Sequence, residues 1–498
     1  MFGQSTQKKK SQSSSLKKSI FVPEDYQELG IQWIIDNPFC GLFYDPGLGK
    51  TATTLFAFDY LQREGLVDSM LVVATKRIAL NVWPREVAKW QGLDMSIGSI
   101  MGDPSKRLKA MKFEADIYTT NYENLVWLAD NWKHNNFGRC MLVSDESTKL
   151  KHTNTKRFRA IRKHLGKFER RVILTGTPIP NGMEDLFGQM FVVDLGKRLG
   201  RYITSFRNEY FHPAGYKGYD WQLNAGADDL IYDVISDVIH RVDDSVLDLP
   251  PLIVRDRKVS LSRKAWRTYN EMEREFILEL EGGLVTALNA ASKSSKLRQI
   301  ANGAVYETPD TEDLDDTPKN EKRKVLNIHD EKVEEAVELI KEQHRPCLIA
   351  FEFTHDRVRL AKAIMEDKEL AKRMPKNDKG QHYVPYISGG VSDKEADKLI
   401  DWWNQGVLPV LLGHPDSIAH GLNLQDIPAV VIYFSLGYNL ENHEQFYRRV
   451  YRKGQEHSVY VFRLVCENTI DEDIVDALER KDLNQTTMLD ALKKRHGM

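Results

Sequence analysis

Cysteine is scarce in this 498-residue chain: Cys40, Cys140, Cys347 and Cys466 are the four present, and they stand far apart. No C-x-x-C pair suggests zinc and no spacing suggests a disulfide framework, which fits a reducing compartment. Long hydrophobic runs are missing as well. "MLVVA" and "AVVIYF" fall far short of a bilayer-spanning stretch, so no membrane partner is expected. The start, MFGQSTQKKKSQSSSLKKS, lacks the apolar centre of a secretory signal. There is no short-period repeat. Nor is there a charge excess: 70 Lys+Arg against 72 Asp+Glu give a net charge of −2, so a surface for a polyanion must be a local patch.

What is present is an ordinary globular composition, 41% hydrophobic and 29% charged, with length for two or three domains. Residues 1–19 are Ser, Gln and Lys and read as a disordered basic tail, either merely solvated or weakly drawn to phosphates. From about 20 to 190, the runs "GLFYD", "MLVVAT", "DIYTTN", "CMLVSDE" and "RVILTGTP" each end in polar or glycine residues. That pattern predicts buried parallel strands with ligand-bearing loops at their carboxyl ends. From about 191 to 310, aromatics and charges mix at helical spacing ("RYITSFRNEYF", "DLIYDVISDVIHRV", "AWRTYNEMEREFILEL"), which predicts mostly helices. "DLPPLIV" at 248–254 breaks any helix and marks a lobe boundary, and the charged 307–323 reads as an exposed loop. Alternation returns from about 326 to 480 in "CLIAFEF", "VPYISG", "PVLLGHP", "AVVIYF" and "VYVFRLV". The expected fold class is α/β.

Five stretches carry chemistry. "FYDPGLGKTATTLFAF" at 43–58 looks like a phosphate loop between a strand and a helix, except that Tyr44 stands where G-x-x-x-x-G-K-[ST] has its first glycine. Asp45, Pro46, Gly47, Leu48, Gly49, Lys50, Thr51 and Ala52 would surround a nucleotide's phosphates, with several backbone N–H groups of the glycine turn and the helix start turned towards them. Lys50 would reach the β- and γ-phosphates and the Thr51 hydroxyl would bind magnesium. The bland reading is an ordinary strand-to-helix turn. "LVSDESTKLKH" ends a strand in Asp145, a magnesium carboxylate, and Glu146, which would orient or deprotonate water. "LTGTPIPN" at 174–181 is a hydroxyl-rich turn suited to sensing a γ-phosphate. In "EQFYRRVYRKGQ" at 444–455, Arg449 and Arg452 are three apart and on a helix would share a face, either solvated or serving as arginine fingers. Gln27 in "EDYQELGIQWI" has the donor and acceptor to read adenine.

Together these motifs resemble the Swi/Snf-type family of helicase-like ATPases in helicase superfamily two, in motif order over about 20–475. The resemblance rests on Y-Q-x-x-G-x-x-W at 26–33, D-x-x-G-x-G-K-T at the phosphate loop, "VVATKRIALNVWPREVAKW" at 72–90 and "TTNYENL" at 119–125. It continues in "DEST", "TGTPIPN" and Q-x-x-x-R-x-x-R-x-G-Q at 445–455. In that family the first glycine is absent, so Tyr44 is no objection. "DEST", and Ile418-Ala419-His420 in place of a glycine pair before "GLNL", resemble the compact members of bacteria and their viruses and weigh against nucleosome remodelling.

The resemblance implies two RecA-like parallel-sheet lobes with helical insertions, ATP between them and Mg²⁺ with it. It also implies movement along double-stranded DNA, with single-stranded DNA or RNA as alternatives. The expected divisions are a tail at 1–19, lobe one at 20–250 with an insertion at about 191–250, and lobe two at 251–480 with one at about 262–310. A helical tail at 481–498 closes the chain. Lys76, Arg77, Thr120 and Asn121 are the candidate DNA-phosphate contacts. A bacterial or infected-cell cytoplasm, a monomer, and replication or recombination proteins as partners complete the expectation. An RNA-directed helicase and a non-catalytic nucleic-acid scaffold are the competing readings.

Overall fold

The computed structural model describes residues 18–180, 182–214, 220–281, 287–307, 324–418 and 422–480. The expectations for the remainder of the N-terminal tail, nearly all of the 307–323 loop, Ala419-His420 and the C-terminal tail lie outside the described residues. Six strands open the fold: β1 (Phe39–Tyr44), β2 (Ser69–Ala74), β3 (Ile97–Ser99), β4 (Ile117–Asn121), β5 (Cys140–Asp145) and β6 (Arg170–Thr175). A hairpin, β7 (Phe211–Ala214) and β8 (Asp220–Leu223), and then β9 (Ile239–Val242) follow. The first sheet has the order β3-β4-β2-β5-β6-β1-β9. β2 runs parallel to both β4 and β5, with Met70 opposite Ile117 and Met141. β2, β5 and β6 are buried at every position. Continuous apolar runs of this kind belong to parallel strands covered on both faces.

The second sheet is built from β10 (Leu252–Val259), β13 (Cys347–Ala350), β14 (Tyr386–Ile387), β15 (Val410–Gly413), β16 (Val430–Tyr433) and β17 (Val459–Cys466), in the order β10-β17-β16-β13-β15-β14. A small pair, β11 (Ala304–Tyr306) and β12 (Val325–Asn327), stands apart. Period-two alternation sorts the second sheet's side chains into two cores. Leu348, Leu411 and Val431 enter one, while Ile349, Leu412 and Ile432 enter the other. Lys332, fully buried, is held there by Asp471 at 2.6 Å and donates to Asn302 Oδ1 at 2.9 Å. The protein is thus an α/β fold with two parallel-sheet lobes.

Every strand expected from the ten apolar runs is present. The stretch from 191 to 310 is less helical than its spacing suggests. Helices at Ile203–Tyr210, Ala227–Ile235, Arg263–Glu281 and Ala287–Ala301 are interrupted by the β7–β8 hairpin, where Pro213 cannot continue a helix. The end of "DLIYDVISDVIHRV" is β9, an edge strand of the first sheet. Pairing with the sheet overrides its helical pattern, and the β-branched Ile239 and Val242 suit it.

The chain divides into two compact units. One comprises Met1–Gly41, Gly49–Asp145 and Lys156–Ile173; the other comprises Leu42–Leu48, Glu146–Thr155 and Leu174–Met498.

Candidate nucleotide site

In the first unit, the helix Lys50–Arg63 begins on Gly49, whose φ of +76° is left-handed and whose lack of a side chain leaves the helix end uncapped. The first N–H groups of a helix have no intrahelical acceptor, so this end suits an anion. Lys50 and Thr51 are half-buried there, and Ala52 is buried. Gln27 lies against this end: a Cβ on Gly49 would collide with its Nε2. Its Oε1 accepts from the Glu24 N–H at 3.1 Å, capping the helix Asp25–Asp36. The amide expected to read adenine is therefore also a structural cap beside the phosphate loop.

Asp145 ends β5 in the same unit, 5% exposed. The fully buried Trp83 donates its indole N–H to Asp145 Oδ2 at 2.9 Å, and Tyr122 donates its hydroxyl to the Asp145 carbonyl at 2.8 Å. Neither aromatic was singled out from sequence. Trp83 lies within a quoted motif, yet no local pattern connects it to a carboxyl group 62 positions away. Among the DNA candidates, Lys76 is exposed and Arg77 half-buried just beyond β2. Thr120 and Asn121 stand at the end of β4. Thr120 is fully buried with its hydroxyl donating to Ile100 O at 3.1 Å, and Asn121, 8% exposed, spends its amide on Glu123 at 2.6 Å.

The second unit contains the entry to the phosphate loop. Leu48 is fully buried and Gly47 sits at φ +97°. A Cβ on Gly176 of the TGTP turn would lie 2.8 Å from Pro46 Cδ, so only glycine lets that turn come so close to the loop. Glu146, 9% exposed, holds a left-handed φ of 60°, an uncommon conformation for a non-glycine residue and a sign of a constrained site. Ser147 donates to Gln189 Oε1 at 2.7 Å, and Gln189 Nε2 donates to Pro178 O at 2.6 Å. Gln189, fully buried, thereby links the DEST box to the TGTPIP turn. Its sequence signal was a lone amide inside the apolar run "LFGQMFVV".

The arginine motif differs from expectation in its local structure. The helix Leu440–Tyr447 ends with Arg448 as its C-cap, so Arg449 and Arg452 stand on turns beyond it, not on one helical face. Gly454 at φ +96° closes these turns. Gln455 moors them by donating to Gln425 O and Ile427 O, both at 3.1 Å. Arg452 donates to Asn423 Oδ1, and its Cβ would stand 3.2 Å from a Cβ on Gly47. Burial and the adjacent Arg452 push the Arg449 guanidinium below its usual range, while the Glu146 carboxylate opposes them. The second unit therefore assembles Asp45, Pro46, Gly47, Leu48, Glu146, Arg449 and Arg452, and the first assembles Gln27, Gly49, Lys50, Thr51, Ala52 and Asp145.

Family models match most of the chain. The SNF2-related domain covers residues 26–305, more than half of the sequence. The chain belongs to the SNF2-related family. The helicase conserved C-terminal domain matches residues 331–454. This SNF2-related chain is 33% identical over 497 residues to putative protein p41 of Acyrthosiphon pisum secondary endosymbiont phage 1, covering 95% of this chain and 99% of that one. It is 27% identical to an uncharacterized ATP-dependent helicase of Mycoplasma genitalium, matching 92% of this chain but spanning only 41% of that relative. A solved Sulfolobus solfataricus SWI2/SNF2 ATPase core in complex with dsDNA covers 94% of both chains at 23% identity and a TM-score of 0.41. The protein is an SNF2-type, helicase-like ATPase core. Among the described residues no helix is long and apolar enough to cross a membrane.

Proposed function

We propose that the chain hydrolyses ATP and uses the energy to translocate along duplex DNA, with lobes at 20–250 and 251–480. The observation that carries this reading is the approach of Arg452 to Gly47, with Glu146 and Arg449 interacting electrostatically beside it. A phosphate loop, a strained glutamate and two guanidinium groups suit phosphoryl transfer, where charge builds on the γ-phosphate. Lys50 and the backbone N–H groups around Gly49 bind the phosphates, and Gln27 fixes the loop's edge. Glu146 takes or orients the proton of the attacking water. Arg449 and Arg452 stabilise the charge that develops as the γ-phosphoryl group leaves.

The donor set fits magnesium. A hydroxyl at Thr51 and a carboxyl at Asp145, the latter oriented by Trp83, are the hard oxygen ligands Mg²⁺ takes alongside substrate phosphates. When bound, the ion supplies charge neutralisation on the phosphate oxygens. Membership of the SNF2-related family and a relative named as a DNA repair and recombination protein support DNA as the track. Exposed Lys76 supplies one phosphate contact. The test is ATP turnover with duplex DNA, single-stranded DNA or RNA, paired with triplex displacement. Duplex DNA should stimulate most and a triplex strand should be displaced. Stimulation by RNA alone would overturn the assignment.

A further inference from the structure

Arg448 sits beside the proposed arginine fingers, and no motif assigns it a part. Its side chain is 12% exposed, and its guanidinium bridges two carboxylates of the second unit. One nitrogen lies 3.3 Å from Asp45 Oδ2 in the phosphate loop, and the other lies 2.7 Å from Asp244 Oδ2. The Asp244 N–H also donates to Asp45 Oδ2 at 3.3 Å. β9 completes the arrangement just upstream. Val242 O accepts from the Asp45 N–H at 3.0 Å, and His240 Nδ1 lies 2.8 Å from the buried Tyr44 hydroxyl. Tyr44, the residue in place of the usual first glycine, is thus tied to the same edge strand.

We propose that Arg448 is a positioning residue that locks the entry of the phosphate loop to the arginine-bearing turns by bridging Asp45 and Asp244. The inference rests on the ATPase reading and deepens it. Arg448 immediately precedes Arg449, and Asp45 lies two residues before Gly47, which Arg452 approaches. Holding Asp45 therefore sets where Arg449 and Arg452 stand relative to the loop. The planar fork matters, because its separate nitrogens serve the two carboxylates at once, and a lysine ammonium has no such fork. Without the guanidinium, two carboxylates face each other at the loop entry, and their repulsion opens the arrangement.

The experiment measures kcat, KM for ATP and thermal stability of the full chain with saturating duplex DNA. The variants are Arg448→Met, Arg448→Lys, Asp244→Asn and the double Arg448→Met/Asp244→Asn, with Lys50→Ala as control. Arg448→Met should lose roughly 10- to 100-fold in kcat, the scale of a small misplacement of catalytic groups, with KM moving far less. Arg448→Lys should recover only part of the rate. Asp244→Asn should lose less than Arg448→Met, and the double variant should be no slower than Arg448→Met alone. Should Arg448→Met fail to fold, the milder Asp244→Asn decides by its kcat at unchanged KM. Arg448→Met or Asp244→Asn turning over at the wild-type rate while Lys50→Ala is inactive would overturn the inference and leave the ATPase reading standing. Strictly additive effects would overturn the bridge. An active Lys50→Ala would overturn the ATPase reading, and the inference with it.

Discussion

Replacing Trp83 by Phe is a sharp probe of the carboxyl group proposed to hold magnesium. The indole N–H donates to Asp145 Oδ2 at 2.9 Å, and the side chain is fully buried. Phenylalanine keeps most of the apolar ring and removes this donor. Losing a hydrogen bond to an ionised carboxylate costs about 1.5–3 kcal/mol. A residual cavity on the order of 40 Å³ adds about 1 kcal/mol. The variant should therefore be about 2.5–4 kcal/mol less stable by urea unfolding. The functional effect is separate. A carboxylate that has lost its orienting donor should need roughly 10- to 100-fold more Mg²⁺ for half-maximal ATP turnover. Tyr122→Phe is the control. It removes a bond to the Asp145 backbone carbonyl, so it should cost stability while leaving the magnesium midpoint nearly unchanged. A Trp83→Phe protein with wild-type stability and an unchanged magnesium midpoint would refute the reasoning.

Glu146→Gln should bind ATP and magnesium yet turn over very slowly, trapping an ATP-bound form with raised duplex affinity; equal DNA affinity with and without ATP would count against coupling. His443, stacked on Tyr433 at 4.1 Å between centroids, is pushed down to about 3 from an ordinary 6.5 by burial and by the nearby Arg463 charge. Its contribution to stability is fully present above pH 6.5 and falls by about 1.4 kcal/mol per unit as pH drops from 6.5 towards 3. His443→Gln should flatten that part of the stability–pH profile, and a profile identical to wild type would reject the assignment.

The two sheets were legible because their strands are continuous apolar runs ending in polar or glycine residues, a pattern that local sequence carries in full. β9 was not, because Ile239–Val242 becomes a strand only by pairing at the edge of a sheet formed much earlier in the chain. The phosphate-loop stretch was legible for a similar reason: Gly47 and Gly49 stand at the positive φ values that glycine tolerates. What sequence could not supply were contacts across long separations. Trp83 on Asp145, Gln189 between Ser147 and Pro178, and Arg448 between Asp45 and Asp244 each join residues that no spacing rule relates.

The central claim is that Arg452 acts on the nucleotide held by the phosphate loop, and one measurement tests it most directly: the duplex-stimulated ATP turnover of Arg452→Ala beside its ATP affinity. Arg452 lies beside Gly47, and its charge matters chiefly as the γ-phosphoryl group leaves, so its loss should appear in rate and not in ground-state binding. The account predicts a fall in turnover of about 10³-fold or more with nearly unchanged ATP affinity. Duplex-stimulated turnover within a small factor of wild type would contradict it.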